Sequence, residues 1–163
     1  MAQKKLQIIA EKDKQECFII REFDAPREMV FKAFEDPDLF VQFWGPGSVQ
    51  MNIDNYDFRS GGSYRYTNTD SGGNELCAFS GVIHEVSKPE RVIQTSELES
   101  LPERGHVVLE AYLFDKLPGN RTKLTIHDVC RSVADRDAMI ASGMDTGLSE
   151  GFIRLEALLE NGI

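Results

Sequence analysis

The chain has 163 residues, enough for one domain with a substantial core, and its 41% hydrophobic and 28% charged content is that of an ordinary globular protein. A formal net charge of -9, with no lysine- or arginine-rich run, argues against nucleic acid and anionic membranes as partners, since a polyanion would be repelled. The first residues lead into no long apolar segment, so no signal peptide and no membrane insertion are expected. Three widely spaced cysteines, Cys17, Cys77 and Cys130, form no CxxC pair and fit reduced thiols of a cytoplasmic protein.

In chain order, residues 1–15 are a short lead and 16–163 a single domain. Residues 7–23 alternate unevenly around a polar bend at Lys12-Asp13-Lys14. Within 16–23, Phe18 and Ile20 share one face of a strand and Ile19, Arg21 and Phe23 the other. Asp24-Ala25-Pro26 predicts a helix start, with aspartate near the N-cap and proline in the first turn, and Met29, Val30, Ala33 and Phe34 form its apolar side. Asp36-Pro37 closes that helix and opens a second short one with Leu39, Phe40 and Phe43 apolar, ending at Gly45-Pro46.

From residue 49 to 129 the period changes to two. Six strands are predicted, around Met51, around Tyr64 and Tyr66, and over 76–86, 92–98, 107–114 and 124–129. Gly61-Gly62, Asp70-Ser71-Gly72-Gly73-Asn74, Lys88-Pro89, a loop over 101–105 and Leu117-Pro118-Gly119-Asn120 separate them.

The stretch 133–160 reads as one helix about 40 Å long at 1.5 Å per residue, opened by Ser132 and Asp135 as a capping box and stopped by Asn161-Gly162. Ile140, Met144, Gly147, Gly151, Leu155 and Leu158 form its apolar stripe, flanked by Leu148, Phe152 and Leu159. Gly143, Gly147 and Gly151 each cost a helix interior about 1 kcal/mol relative to alanine, which calls for a reason. Two reasons stay open. The commoner is close approach to a neighbouring element; the other is a hollow left for a ligand.

Strand, two short helices, six strands and a long helix make an α+β domain whose antiparallel sheet is covered by that helix and encloses space for a small ligand. At this point a family resemblance enters. Phe23-Asp24-Ala25-Pro26-Arg27-Glu28-Met29-Val30-Phe31, followed by Phe43-Trp44-Gly45-Pro46, resembles the opening of the proteins similar to the activator of Hsp90 ATPase. These belong to the SRPBCC or START-like (Bet v 1-like) superfamily. Gly61-Gly62-Ser63-Tyr64-Arg65-Tyr66 is similar to that family's glycine-glycine-x-aromatic-arginine-aromatic strand, and Gly81-Val82-Ile83-His84-Glu85-Val86 with Pro89-Glu90-Arg91-Val92 to its central strand pair. Gly143-Met144 through Gly151-Phe152 and Leu155 resembles its last helix. The resemblance implies a helix-grip fold, a seven-stranded antiparallel sheet curled around a long C-terminal helix, with two short helices after the first strand. Superfamily members include lipid and polyketide binders, a few enzymes and the chaperone-binding domain behind the family's name.

Cavity-lining residues are expected at Phe40, Phe43 and Trp44, at Tyr64 and Tyr66, at Phe79, Gly81 and Ile83, and at Met144, Gly147, Leu148 and Gly151. Trp44 reads first as a core anchor and second as a gate. Gly81 most commonly marks a bulge or close packing. His84, His106 and His127 lie on or beside different strands without metal spacing and are expected at the surface or an edge. No nucleophile motif or phosphate loop is present. None of the 27 acidic residues stands isolated in an apolar run; Glu85 and Asp128 come nearest, with surface ion pairs as the expected account. No catalytic residue, metal or cofactor is therefore expected.

The leading function is a module that binds a small apolar or amphipathic molecule. The alternatives are a cyclase- or hydrolase-like enzyme and, last, an Hsp90 or other chaperone regulator. The eukaryotic activator carries this domain behind a further N-terminal domain, where this sequence has only a short, largely polar lead. Val107, Val108, Leu109, Tyr112, Leu113 and Phe114 make one strand apolar on both faces, so either the first two helices or a second copy of the chain covers it. A homodimer is the preferred reading, as isologous pairs are the commonest oligomers.

Overall fold

A computed structural model describes residues 5–163. One antiparallel sheet of eight strands runs in the order β1-β2-β8-β7-β6-β5-β4-β3. Its strands are β1 (Gln7–Ile9), β2 (Glu16–Phe23), β3 (Gln50–Tyr56), β4 (Ser63–Thr69), β5 (Glu75–Ser87), β6 (Arg91–Leu98), β7 (Val107–Leu117) and β8 (Arg121–Val129). From β3 to β8 each strand pairs with the next, as short turns between alternating segments require. β2 then closes onto β8, with Ile19 opposite Ile126. The expected seven strands become eight because β1 adds to the outer edge of β2, Ile8 facing Ile19. It is three residues long, too short for a period to declare it. Register shifts after Ile53 in β3, after Asn68 in β4 and after Ile83 in β5 are bulges, which bend the sheet toward the helices.

Helix α1 (Arg27–Glu35) begins at Pro26 without a side-chain cap. Pro26, expected in the first turn, is itself the N-cap, and the carboxylate of nearby Asp24 accepts from Arg121 Nε at 2.8 Å. Asp36 does open α2 (Pro37–Phe43), its Oδ1 accepting from the Asp38 N–H at 2.9 Å. α1 turns Val30, Phe31, Ala33 and Phe34 inward. Phe31 and Phe34 meet the Phe114 ring of β7 at centroid distances of 5.1 and 5.6 Å, and Phe34 meets Tyr112 at 5.7 Å. The first helices thus cover the inner face of β7, while Leu109 on the outer face is 48% exposed.

The predicted single helix over 133–160 is two. α3 (Val133–Ala141) starts at Ser132, whose Oγ accepts from the Asp135 N–H at 3.0 Å, and α4 (Met144–Glu160) follows after Gly143. Gly143 has φ +88°, a left-handed conformation that an L side chain rarely adopts. The apolar spacing runs unbroken through this joint, which is why periodicity alone conceals it. α4 buries Phe152, Leu155 and Leu159, with Phe152 set edge-on to Phe23 at 5.6 Å. Arg21 of β2 is 4% exposed; its guanidinium lies 4.7 Å from the Phe23 ring and bonds Glu156 Oε2 of α4 at 3.3 Å. Burial lowers the pKa of Arg21, and the Glu156 carboxylate works against that shift.

Leu155 is fully buried between α4 and the sheet. Leu155→Ala should therefore cost about 2–5 kcal/mol in denaturant melts, and a loss below about 0.5 kcal/mol would contradict this packing.

Candidate functional site

Between the concave face of the sheet and the helices lies a cavity of about 650 Å³, in the range of small-molecule sites, roughly 300–1,000 Å³. Ile83, Val92 and Ile126 form part of its floor, and Met144 and Leu148 of α4 part of its cover. It reaches the surface near Leu76 and Leu101, which line it and are 52% and 39% exposed.

The glycines of the last segment explain why the space exists. A Cβ on Gly151 would stand 2.7 Å from the Phe43 carbonyl oxygen, so α4 lies directly on the backbone leaving α2. Arg154 fastens this seat, donating to the carbonyls of Phe43, at 2.9 Å, and of Gly45. Glu150 Oε2 accepts from the Gly47 N–H at 2.8 Å. One turn earlier, a Cβ on Gly147 would meet Pro46 Cδ at an ordinary 3.6 Å, and Gly147 faces the cavity. Close approach holds at Gly151 and hollow at Gly147.

Of the residues expected to line a cavity, Phe40, Trp44, Tyr64, Tyr66, Phe79, Ile83, Met144, Gly147 and Leu148 do so. Phe43, Gly81 and Gly151 do not. Phe43 is fully buried in the core against Phe34, 5.2 Å away. A Cβ on Gly81 would fall 1.9 Å from the Thr95 carbonyl oxygen and 2.7 Å from the Tyr64 ring, so Gly81 serves close packing beneath that tyrosine. Trp44 combines its two readings. It stacks on Phe40 at 5.4 Å, lines the cavity, and donates from Nε1 to Tyr66 Oη at 3.0 Å. Tyr64 Oη donates to the Thr95 carbonyl at 2.6 Å, and burial raises the pKa of both tyrosines. Their hydroxyls brace the wall.

Sequence reasoning missed the polar side of the cavity. Glu110 of β7 and Asp128 of β8 stand directly opposite each other and both line it. Burial pushes the Asp128 carboxyl well up from the usual range, and Glu110's charge and hydrogen bond push it further. Burial also raises Glu110, against the hydrogen bond that Gln94 Nε2 donates to its Oε1 at 3.0 Å. Two adjacent carboxyls in such a wall hold a proton between them. Asp128 is thus no surface ion-pair partner, and the expectation that no carboxylate would be raised by burial fails here. Glu85 does lie in an exposed pair, 2.7 Å from Arg91 Nη2. The signal was available. Glu110 shares strand parity with Tyr112 and Phe114, and Asp128 with Leu124 and Ile126, all buried.

Around this pair the thiols are inert. Cys17, opposite Asp128 on β2, is pushed up to about 12 by burial and the Asp128 charge, and Cys130 to about 11 by burial first. His106 lines the cavity rather than a plain surface, its Nδ1 2.9 Å from Asp135 Oδ2 of α3. That carboxylate raises the histidine pKa, and its own falls in return. His84 is exposed, and His127 stacks on Phe18 at 4.3 Å. Among the described residues no group of three or more histidine, cysteine or acidic side chains is placed to hold a metal ion.

The family model for activator of Hsp90 ATPase homolog 1-like protein matches residues 24–160 of the chain. No curated protein matches it. Solved structures do. A protein from Rhodobacter sphaeroides superposes with a TM-score of 0.86 at 21% identity, over 96% of this chain and 99% of that one. One from Mycobacterium smegmatis gives 0.83 at 23% identity, over 96% and 98%. The AHSA1 protein of Silicibacter pomeroyi gives 0.73 at 20% identity, over 91% and 99%. At these identities the likeness is one of fold.

The two glycines should part company on substitution. Gly147→Ala should be neutral or stabilising by up to about 1 kcal/mol through helix propensity. Gly151→Ala should lose about 1–3 kcal/mol, because backbone cannot yield as a side chain can. Equal effects in denaturant melts would contradict the seat of α4 on α2.

For Asp128 the folded state holds a proton more tightly than the unfolded chain does. Stability must then fall as pH rises from the ordinary aspartate value, about 4, toward the raised folded one. Asp128→Asn removes its share of that slope, so its melting temperature should gain on wild type as pH rises above about 4. Parallel pH profiles would refute the buried acid.

Proposed function

Because the chain belongs to the family of activator of Hsp90 ATPase homolog 1-like proteins and has the helix-grip fold, we propose that it is a binding module that holds a small hydrophobic or amphipathic molecule between the sheet and the C-terminal helices. The observation that carries this reading is the cavity of about 650 Å³, walled by Phe40, Trp44, Tyr66 and Phe79. Transferring apolar ligand surface into it gains about 25 cal/mol per Å². Trp44, Tyr66 and Phe40 are fixed by mutual packing, so the wall needs little ordering when the ligand arrives.

An enzyme of cyclase or hydrolase type is the second reading, and the Glu110–Asp128 pair would be its acid and base. A chaperone-regulating role draws its support from the family's name. We assign the protein to the cytoplasm, in keeping with Cys17, Cys77 and Cys130 all being free thiols. Among the described residues no helix is long and apolar enough to cross a membrane.

Titration with Nile red, a neutral solvatochromic dye, should give saturable fluorescence with wild type. Gly147→Leu should keep the fold and bind the dye roughly ten-fold more weakly, since its side chain enters the cavity. Wild type that shows no saturable binding would refute the module.

We further propose that a second copy covers the outer face of β7 around Leu109. Sedimentation at micromolar concentration should then give twice the 18.4 kDa chain mass. A single 18.4 kDa species would remove the dimer.

A further inference from the structure

Two buried polar atoms in the cavity wall are left over, Asn68 Oδ1 and Asp128 Oδ1. Asp128 is 3% exposed, lines the cavity, and its Oδ1 has no hydrogen-bond partner. A buried carboxyl oxygen without a donor loses its hydration and receives nothing in return, so such atoms are rare and ask for a partner from outside the protein. Among the described residues no side chain supplies one to Asp128 Oδ1. From β7, Glu110 faces Asp128 as a second acid, and from β2, Cys17 is held as the neutral thiol. Gln94 of β6 and the Tyr112 hydroxyl of β7 donate to Glu110 instead. Among the described residues His106 is the one basic side chain that lines the cavity, with no lysine or arginine beside it, and it is engaged by Asp135. Arg136, beyond Cys17, is spent on the carbonyls of Glu11 and Glu16 and on Asp137.

We propose that the occupant of this cavity is a cationic amphiphile, an apolar body bearing a protonated primary or secondary amine that docks between Glu110 and Asp128. The inference rests on the binding-module reading and names the chemical class that module takes. The apolar body lies along the aromatic wall, and the ammonium donates to Asp128 Oδ1 and to a free lone pair of Glu110. An ammonium placed between the two carboxyls favours their ionised form and neutralises the charge that form carries. A hydroxyl head would satisfy Oδ1 and leave that charge unpaired. A carboxylate head would be repelled by it, and by a chain whose net charge is -9.

The test compares decylamine, decanol and decanoate, below their micelle concentrations, by calorimetry on the full chain, with Nile red binding as an independent report on the cavity. The amine should bind roughly ten-fold more tightly than the alcohol, the difference between a charge-assisted and a neutral hydrogen bond, and decanoate most weakly. The double variant Glu110→Gln/Asp128→Asn should retain Nile red and bring amine and alcohol to the same affinity. Should the double variant fail to fold, Glu110→Gln alone must narrow the gap. Nile red binding without a preference for the amine, or a preference that survives the substitutions, overturns this inference and leaves the binding module standing. If neither the dye nor the amine binds wild type, both fall.

Discussion

The seat of α4 on the backbone that leaves α2 governs the geometry of everything around it. Main chain meets main chain at Gly151, and Arg154 and Glu150 bond the same short segment from either side. A contact of this kind has a fixed distance, because no rotamer can lengthen or shorten it. Toward its C-terminal end the helix is drawn onto the sheet by Phe152, Leu155 and the Arg21–Glu156 pair. Toward its N-terminal end the surroundings recede. A Cβ at position 151 would meet neighbours at 2.7 Å, at 147 at 3.6 Å, and at 143 nothing within 4 Å. The cavity is the space opened by that divergence.

Its wall is a continuous set of rings. Phe34 contacts Trp44 at 5.9 Å, Trp44 stacks on Phe40, Phe40 meets Tyr66 at 6.0 Å and Tyr66 lies against Phe79 at 5.3 Å. Each such pair contributes about 0.5–1.5 kcal/mol beyond the area it buries. The Trp44–Tyr66 hydrogen bond fixes the tilt of two of these rings. Gly81 belongs to the same construction, since only its bare backbone lets Tyr64 lie across β5 and bond to Thr95. The rigid aromatic side of the cavity comes from α2, β4 and β5 and its acidic side from β7 and β8, with β6 between them.

Local signals in the sequence matched the elements that local forces create. Alternation marked β2 to β8, Asp36-Pro37 marked the join of α1 and α2, and Ser132 marked the start of α3. What escaped depends on partners distant in the chain. β1 exists because β2 offers an unpaired edge. Gly143 looks like any glycine within a helical stripe until its φ is known. Phe43 and Gly151 were placed on the correct side of their helices, yet each is sealed by the other element's approach rather than opened to the cavity. Glu110 and Asp128 were judged by their neighbours in sequence, whereas the neighbour that changes their chemistry stands across the ladder.

Among the described residues the curled sheet does not close into a barrel, and so it has two edges. An unpaired strand edge is a template for foreign strands, and proteins commonly blunt it. One edge here is β1, three residues long, which offers little ladder to extend. The other is β3, interrupted by a bulge after Ile53 and carrying Gln50, Asn52, Asp54 and Asn55, with Asp54 held by Arg65. Neither edge favours strand addition. Copies of this protein at high concentration are thereby steered away from edge-to-edge stacking, and a pair that forms would meet through the broad faces of the two sheets.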